Sequence, residues 1–235
     1  MPDFDRHERR RAFFGRRKGH ALKRTQSTLL ETLLPQLAID LTAIAPKNLT
    51  TLFPAAKPAQ VWLEIGFGGG EHLVARARTN PDVGFIGVEP FVNGMAKALV
   101  AIDAYKLTNV RVHFGDALEL LDWLPDHSLA GVDLLYPDPW PKKRHWKRRF
   151  VQDDTVAAIA RVLRPGGYFR FASDIADYVV WTLQHLLCTK DFSWTAERAD
   201  DWRLPWEGWV ETRYEAKAKR EGRTPAYLTF QRIKK

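Results

Sequence analysis

The sequence has little cysteine and no long apolar run. Its 235 residues include one cysteine, Cys188, which excludes a disulfide framework and a cysteine-rich zinc site. The longest apolar runs have the length of a strand, well short of the roughly 20 residues that a membrane helix needs. The basic N-terminal stretch lacks the apolar segment of a secretory signal. These absences predict a soluble, reduced, cytoplasmic protein that makes no contact with a membrane.

Positive charge is scarce outside three short segments. Residues 1–24 hold nine bases and three acids, residues 142–149 hold six bases and no acid, and residues 211–235 hold eight bases and three acids. The net charge of the whole chain is only +8, so the remainder is acidic. Solvated surface charge is one explanation. Three separate basic segments on an acidic chain favour a polyanionic partner, nucleic acid.

Apolar residues alternate between strand and helix periodicity from residue 60 onward. Strands are predicted over 61–66, 83–89, 109–114, 132–136 and 168–172, separated by helices over 71–78, 91–105, 150–163 and 178–187, with a turn over 164–167. Two late strands, 192–196 and 227–233, follow each other without a long helical crossover. The pattern predicts an α/β, Rossmann-like fold: a mostly parallel seven-stranded sheet with an antiparallel edge strand and helices on both faces.

The N-terminal quarter differs in composition from the rest of the chain. Residues 1–24 are too basic to pack and are expected to form a mobile arm. Leucines at helical spacing predict a helix over 25–39, which Pro35 interrupts. The predicted organisation is therefore a basic arm and helix over 1–58 and one catalytic domain over 59–235.

A glycine-rich loop follows the first strand, in the order Glu64-Ile65-Gly66-Phe67-Gly68-Gly69-Gly70-Glu71. Glycines permit a tight turn and a close approach of a ligand to the backbone. The dinucleotide pattern GxGxxG would need glycine where Glu71 stands, which argues against a nicotinamide oxidoreductase. An acidic loop suits a ligand with a cationic part better than it suits a pyrophosphate.

Carboxylates also follow the second and third strands. Glu89 is placed to accept hydrogen bonds from both hydroxyls of a ribose, and Asp116 from an adenine amino group. Each acid alone is equally consistent with a helix cap. Together with Glu64 they lie at successive strand ends, and a ribose, an adenine and a cationic amino-acid end describe S-adenosyl-L-methionine.

The fourth strand leads into Tyr136-Pro137-Asp138-Pro139-Trp140-Pro141-Lys142. Prolines on both sides of Asp138 restrict the backbone, so the loop is expected to hold that carboxylate rigidly at the sheet edge. A proline-rich turn with an aspartate cap is the structural alternative. The basic segment, residues 142–149, follows directly, which would place phosphate-binding side chains beside the reaction centre.

Four motifs in this order resemble the bacterial tRNA (guanine-N7)-methyltransferases. They are Glu64–Gly68, Pro137–Lys142, Arg144–Arg149 and Thr212–Glu215. The resemblance covers roughly residues 60–235 and is most specific in the pattern PDPWxKxRHxKRR. It implies the class I methyltransferase fold and transfer of a methyl group from S-adenosyl-L-methionine to N7 of guanine 46 in the tRNA variable loop, without a metal.

The resemblance also implies site residues. Asp138 would be the catalytic residue. Cofactor binding would fall to Glu64, Gly66, Gly68, Glu89, Asp116 and Asp138. Substrate binding would fall to Lys142, Asp174, Thr212, Arg213, Tyr214 and Glu215. Contact with RNA would fall to Arg144, His145, Trp146, Lys147, Arg148 and Arg149.

Two other functions stay open at this point. An amino-methyltransferase acting on another RNA base carries an Asp/Asn-Pro-Pro-aromatic motif at the same strand end, which residues 137–140 only approximate. A non-catalytic RNA-binding protein with a methyltransferase fold would be expected to lack the acids at the cofactor positions, and all three are present. The expected partner is tRNA, and the expected oligomeric state is monomer or homodimer.

Overall fold

The computed structural model of this chain describes residues 13–233, so the first half of the predicted arm lies outside the described residues. Its strands are β1 Gln60–Ile65, β2 Val83–Val88, β3 Val110–His113, β4 Leu129–Leu135, β5 Leu163–Ser173, β6 Phe192–Trp194 and β7 Ala226–Arg232. Its α-helices are α1 Arg24–Thr32, α2 Leu34–Leu37, α3 Glu71–Thr79, α4 Val92–Ala104, α5 Ala117–Trp123, α6 Asp153–Val162, α7 Ala176–Cys188, α8 Asp200–Arg203 and α9 Arg213–Arg220. Two 3₁₀ helices span Leu49–Leu52 and Lys143–Arg148.

The strands form one sheet in the order β3-β2-β1-β4-β5-β7-β6. Strands β1 to β5 are mutually parallel, and β7 runs antiparallel to both of its neighbours. Every residue of β2 and β4 is buried, as expected for parallel strands covered by helices on both faces. Two large apolar clusters and a small one around Leu135 form the core of the described residues. Successive residues of β1 such as Trp62 and Leu63 belong to different large clusters, one on each face of the sheet.

The sheet confirms the predicted fold and refines it at three places. The antiparallel strand β7 lies one position inside the edge, which β6 occupies. Strand β5 begins at Leu163, so the predicted turn over 164–167 is part of that strand. Helices α5 and α9 were not predicted: α5 is a short helix that buries Leu118 and Leu121, and α9 buries only Glu215 and Ala218.

The N-terminal helices pack against the sheet domain. Leucines of α1 and α2, Leu29 and Leu34 among them, pack on the cluster that contains residues of α4. After α2, Ala38 forms a parallel bridge with Val112, and the Ile39 amide donates to the Val112 carbonyl at 2.9 Å. This part of the predicted 1–58 segment therefore shares its core with the domain. None of the helices within residues 13–233 is long and apolar enough to cross a membrane.

Candidate active site

A cleft opens at the carboxyl ends of β1 and β4 and encloses about 250 Å³. These strands are neighbours in the sheet. The chain continues from β1 toward one edge of the sheet and from β4 toward the other, and open α/β sheets bind ligands at such a point. Gly66 and Gly68 line the cleft after β1, Glu89 lines it after β2, and residues 134–138 line it at the end of β4. The ends of β1 and β2 form what we call the cofactor wall, together with Asp116 after β3. The β4 loop, residues 136–141, forms what we call the catalytic wall; both names follow the roles that the sequence predicts for these residues.

The glycine loop of the cofactor wall requires glycine for its backbone conformation. Gly66 and Gly68 have φ values of 69° and 57°, in the left-handed region that other residues rarely adopt. A Cβ atom built on Gly66 would have no neighbour within 4 Å, so bare backbone faces the open cleft. One built on Gly68 would lie 3.2 Å from Arg213 and 3.4 Å from Tyr214. The loop thus offers a ligand close access on one side and touches α9 on the other.

Glu89 is buried, and its carboxylate is held by the backbone. Its Oε2 accepts from the Gly68 amide at 2.7 Å, and its Oε1 accepts from the Phe91 amide at 2.9 Å. Burial raises the pKa of Glu89 to about 7, although the two amides act in the opposite direction. Each carboxylate oxygen has a second lone pair, so the group still has capacity for two hydroxyl donors.

Asp116 forms the N-cap of α5 and also binds the N-terminal segment. Its Oδ1 accepts from the Leu118 amide at 2.9 Å, and its Oδ2 accepts from the Phe13 amide at 3.0 Å. The helix cap and the predicted ligand contact are therefore both compatible with this residue. The Phe13 amide stands at the position where the sequence predicts an adenine amino group.

Residues 13–20, which we call the strap, cross the mouth of the cleft. Phe13–Arg16 line it, and Gly15 lies beside Asp138. Farther along, the Asn93 side chain accepts from the Gly19 amide at 2.7 Å and donates to the His20 carbonyl at 2.8 Å. The expectation of a mobile arm is therefore wrong for these residues, because backbone hydrogen bonds tie them to α4 despite their charge. The sequence contains no signal for this role of Asn93.

Glu64 faces away from the cleft, toward α3. Its Oε2 lies 2.8 Å from His72 Nδ1, and both side chains are buried. Asp133, its neighbour on β4, pairs with the Arg76 guanidinium, which lies 4.4 Å from the centre of the Trp62 ring. Potential metal-ligand atoms of Glu64, His72 and Asp133 lie within 4.8 Å of one another. Each carboxylate has a partner on α3 through one of its oxygens, and Asp133 Oδ1 is buried without a hydrogen-bond partner among the described residues. Glu64 is not among the residues that line the cleft, and its cofactor contact stays a prediction.

The catalytic wall carries Asp138 between two residues in unusual conformations. Tyr136 and Trp140 have φ values of 50° and 42°, which is rare and costly for large side chains. Asp138 lines the cleft, and partial burial raises the pKa of its carboxyl above the ordinary value. Within residues 13–233 no hydrogen bond to its carboxylate is found, in contrast to Glu89 and Asp116. This loop therefore presents an uncommitted acceptor to the cleft.

Part of the basic segment forms an exposed cationic surface next to Asp138. The side chains of Lys142, Lys143, Arg144 and Lys147 all point into solvent. Arg148 instead lines the cleft, with its guanidinium 5.0 Å from the centre of the Trp140 ring. His145 packs edge-to-face against Trp140 at 5.7 Å, and partial desolvation together with the surrounding cations lowers its pKa. Of these four exposed residues, Arg144 and Lys147 are predicted RNA contacts, and their side chains are accessible to the phosphates of a bound RNA.

Two predicted RNA contacts pack against other side chains of the protein: Arg149 is buried and Trp146 is half-buried. Arg149 is 2% exposed, and Trp146 packs against Trp181 with the ring centres 5.4 Å apart. A guanidinium enclosed by protein cannot reach a phosphate of a bound RNA. The sequence shows a continuous basic segment, whereas the 3₁₀ helix over Lys143–Arg148 turns successive side chains to different sides.

The Thr212–Glu215 motif likewise contains two buried residues and two residues that line the cleft. Thr212 is the N-cap of α9 and accepts from the Glu215 amide at 3.1 Å. Glu215 is buried, accepting from Trp209 Nε1 at 2.7 Å and from the Tyr227 hydroxyl. These contacts give Thr212 and Glu215 a structural role. Arg213 and Tyr214 line the cleft, and their predicted contact with the substrate stays a prediction.

Asp174 follows β5 and is paired with an arginine. Its Oδ2 accepts from Nε of Arg223, just beyond α9, and Arg223 also pairs with Glu221. The pairing connects the end of β5 with the α9 region. No sequence motif marks Arg223. Lys142, the other predicted substrate contact, is exposed at the end of the β4 loop.

Comparisons with known proteins agree with this architecture. The family model described as "Putative methyltransferase" matches residues 58–228. Among solved structures, the aminoglycoside resistance methyltransferase NpmB1 superposes with a TM-score of 0.51 at 15% identity, covering 80% of this chain and 95% of its own. TrmN from Thermus thermophilus superposes with a TM-score of 0.54 at 15% identity, covering 82% and 52%. Fold and family match define the class: a methyltransferase with the class I fold.

Curated relatives narrow the class to one family. The tRNA (guanine-N(7)-)-methyltransferase of Rhodopseudomonas palustris (strain BisB18) is 63% identical over 94% of this chain and 88% of its own length. The enzyme of the same name from Agrobacterium fabrum (strain C58) is 60% identical over 93% and 94%. The chain belongs to the tRNA (guanine-N(7)-)-methyltransferase family.

Proposed function

We propose that this protein transfers a methyl group from S-adenosyl-L-methionine to N7 of guanine 46 in the variable loop of tRNA, in the cytoplasm. The observation that carries the proposal is the placement of the Asp138 carboxylate on the cleft, directly followed by exposed cations of the basic segment. Family membership supports the choice of tRNA and of N7.

The cofactor wall fits S-adenosyl-L-methionine. Bare backbone at Gly66 permits close approach, and the Glu89 and Asp116 carboxylates supply acceptors for hydroxyl and amino donors. When bound, the cofactor supplies an electrophilic methyl group on a sulfonium. The Phe13 amide now occupies Asp116 Oδ2, so the strap shifts or shares that acceptor when an adenine amino group binds.

Asp138 is proposed to orient the target guanine. N7 has a free lone pair, so no proton has to leave the attacking atom, and positioning supplies most of the catalysis. The Asp138 carboxylate would accept from the N1–H and N2–H donors of the base and stabilise positive charge that develops on the purine ring. Asp174 is also implied to bind the substrate. Asp138 is the better placed of the two to orient the guanine, because Arg223 already pairs with Asp174.

Tyr214 and the exposed cations complete the substrate site. Tyr214 lines the cleft and is 46% exposed, so its ring is available for stacking on a base that has left its tRNA contacts. Trp140 is a second ring on the cleft, and an arginine lies over each ring: Arg148 at 5.0 Å from the centre of Trp140 and Arg213 at 4.8 Å from that of Tyr214. Lys142, Lys143, Arg144 and Lys147 would hold the phosphates around the target nucleotide.

Transfer of labelled methyl from S-adenosyl-L-methionine to unmodified tRNA transcripts, followed by digestion to nucleosides, tests the proposal. We expect label in N7-methylguanosine, and its loss when guanine 46 is replaced. Label in N2-methylguanosine would indicate an amino-methyltransferase instead. No label despite measurable cofactor and tRNA binding would indicate a binding protein with a methyltransferase fold.

A further inference from the structure

Arg149 lies at the end of the basic segment but is enclosed by the protein. Its guanidinium is surrounded by the rings of Trp146, Tyr178 and Trp181, with distances of 4.8, 5.0 and 5.2 Å from Cζ to the ring centres. Its side chain has no exposed surface. A cation in such a place is stable only with paired charge and hydrogen bonds, so its partners indicate its role.

The partners of Arg149 connect α7 with the β4 loop. Nη2 lies 2.5 Å from Asp177 Oδ2, on the first turn of α7. Nε donates to the carbonyl of Pro139 at 2.9 Å. Pro139 is the residue after Asp138, so Arg149 holds the backbone adjacent to the predicted catalytic carboxylate.

The β4 loop requires such a restraint. Tyr136 and Trp140 adopt positive φ values on either side of Asp138, and strained conformations of this kind persist only where surrounding contacts enforce them. Pro137, Pro139 and Pro141 lack amide N–H groups, so the loop has few backbone donors of its own. Hydrogen bonds to its carbonyls are therefore a main way to fix it.

We propose that Arg149 is a positioning residue that holds the Asp138 loop in its strained conformation, and that it does not bind RNA. Asp177 orients the guanidinium, and the three aromatic rings exclude water from it. The proposal rests on the proposed function in one respect: the carboxylate that Arg149 positions is taken to act on the guanine.

The substitutions R149K and R149Q distinguish positioning from phosphate binding. A lysine keeps the charge, but its single ammonium group cannot reproduce the two-sided geometry of the guanidinium. We expect both variants to lower kcat by about 10- to 100-fold, the cost of misplacing a catalytic group by about 1 Å. We expect KM for tRNA and the salt dependence of tRNA binding to stay as in the wild type. Wild-type kcat in R149K, with weaker and less salt-dependent binding in R149Q, would overturn the proposal.

Arg144 provides the matched comparison within the same segment. Its side chain is exposed, and we expect R144Q to weaken tRNA binding and to reduce the salt slope by roughly 0.7 to 0.9, the contribution of one phosphate contact. Equal changes of salt slope in R144Q and R149Q would show that both residues bind phosphate.

D177N tests the proposal if the Arg149 variants do not fold. Asp177 is 56% exposed, and an asparagine in its place keeps a side-chain oxygen that can accept from the Arg149 guanidinium. A positioning role for Arg149 predicts a several-fold lower kcat in D177N. If Arg149 bound phosphate, removal of this negative charge would instead strengthen tRNA binding and leave kcat unchanged.

Tryptic cleavage after Lys142, Lys143 and Arg144 gives a readout independent of methyl transfer. We expect faster cleavage there in R149Q and D177N than in the wild type, because the loop before these residues is released. Unchanged cleavage would contradict the restraint itself. Absence of methylation by the wild type, with faster cleavage in the variants, would instead reject the proposed function and retain the restraint.

Discussion

The two walls of the cleft hold their carboxylates in different ways. On the cofactor wall, Glu89 and Asp116 each accept two backbone amides, so their positions are set before a ligand binds. On the catalytic wall, none of the residues in 13–233 donates a hydrogen bond to the Asp138 carboxylate, and the backbone around it is restrained instead. The difference fits the proposed function, in which one wall offers preformed acceptors to the cofactor and the other offers an acceptor to the entering base.

Substitution of Asp138 is expected to have the largest effect. We expect Asp138→Ala to lower kcat by about 10²- to 10³-fold, because the base loses both its orienting acceptor and the stabilising charge. Asp138→Asn keeps one acceptor and should lose less. Single-turnover methylation with saturating tRNA measures the effect, and filter binding should show unchanged tRNA affinity. Lost tRNA affinity with normal turnover would assign Asp138 to binding.

Neutralising the exposed cations should weaken tRNA binding and leave cofactor binding in the cleft unchanged. For the triple variant K143Q/R144Q/K147Q we expect a salt slope lower by about 2 to 3, and tRNA affinity reduced by about 10-fold or more at moderate salt. Cofactor affinity, measured by calorimetry, should not change. A wild-type salt slope would show that the exposed face of the basic segment does not contact phosphates.

The raised pKa of Glu89 predicts that cofactor binding depends on pH. Its pKa is raised from 4.5 to about 7, so the carboxyl is largely protonated below pH 7 and loses capacity to accept from hydroxyl donors. We expect cofactor affinity to fall as the pH decreases from 8 to 6. Glu89→Gln should bind about 10-fold more weakly at pH 8 and show little dependence on pH. An equal pH dependence in the variant would place the titrating group elsewhere.

The raised pKa of Glu89 also makes the free energy of unfolding depend on pH. Because the folded protein binds this proton more tightly than the unfolded chain does, the free energy of unfolding should decrease as the pH rises from about 4.5 to 7. Denaturant titrations of the ligand-free wild type and of Glu89→Gln, compared at both ends of this range, isolate the contribution. A difference between the two proteins that stays constant with pH would contradict it.

Removal of the α9 cap should have the smallest effect. We expect Thr212→Ala to cost about 1 kcal/mol of stability, because one amide of the first turn loses its acceptor. For a protein of this size that corresponds to a decrease in Tm of about 2–4 °C. Thr212→Ser keeps the acceptor and should show almost no change. A large loss of tRNA methylation at unchanged Tm would instead show that Thr212 contacts the substrate.

Much of the fold was predictable because local patterns determine it. All seven strands overlap segments with strand-like apolar patterns, and the carboxyl-end positions of Gly66, Glu89 and Asp138 follow from a parallel sheet. Helix α9 was not predictable in this way, because its sequence is almost uniformly polar and its start depends on a cap. The strap was not predictable either, since its attachment depends on Asn93 and Asp116, which are distant in the chain.

The sequence by itself determined the class of fold, the order of the motifs and the types of side chain available for a cofactor and a polyanion. Only the tertiary structure decided which members of each motif face the cleft. Arg148 and Arg149 are adjacent and chemically identical, yet one lines the cleft and the other is enclosed beside α7. The physical reason is that the direction of a side chain depends on the turn of a short 3₁₀ helix and on the aromatic residues packed against it, which no spacing of residue types encodes.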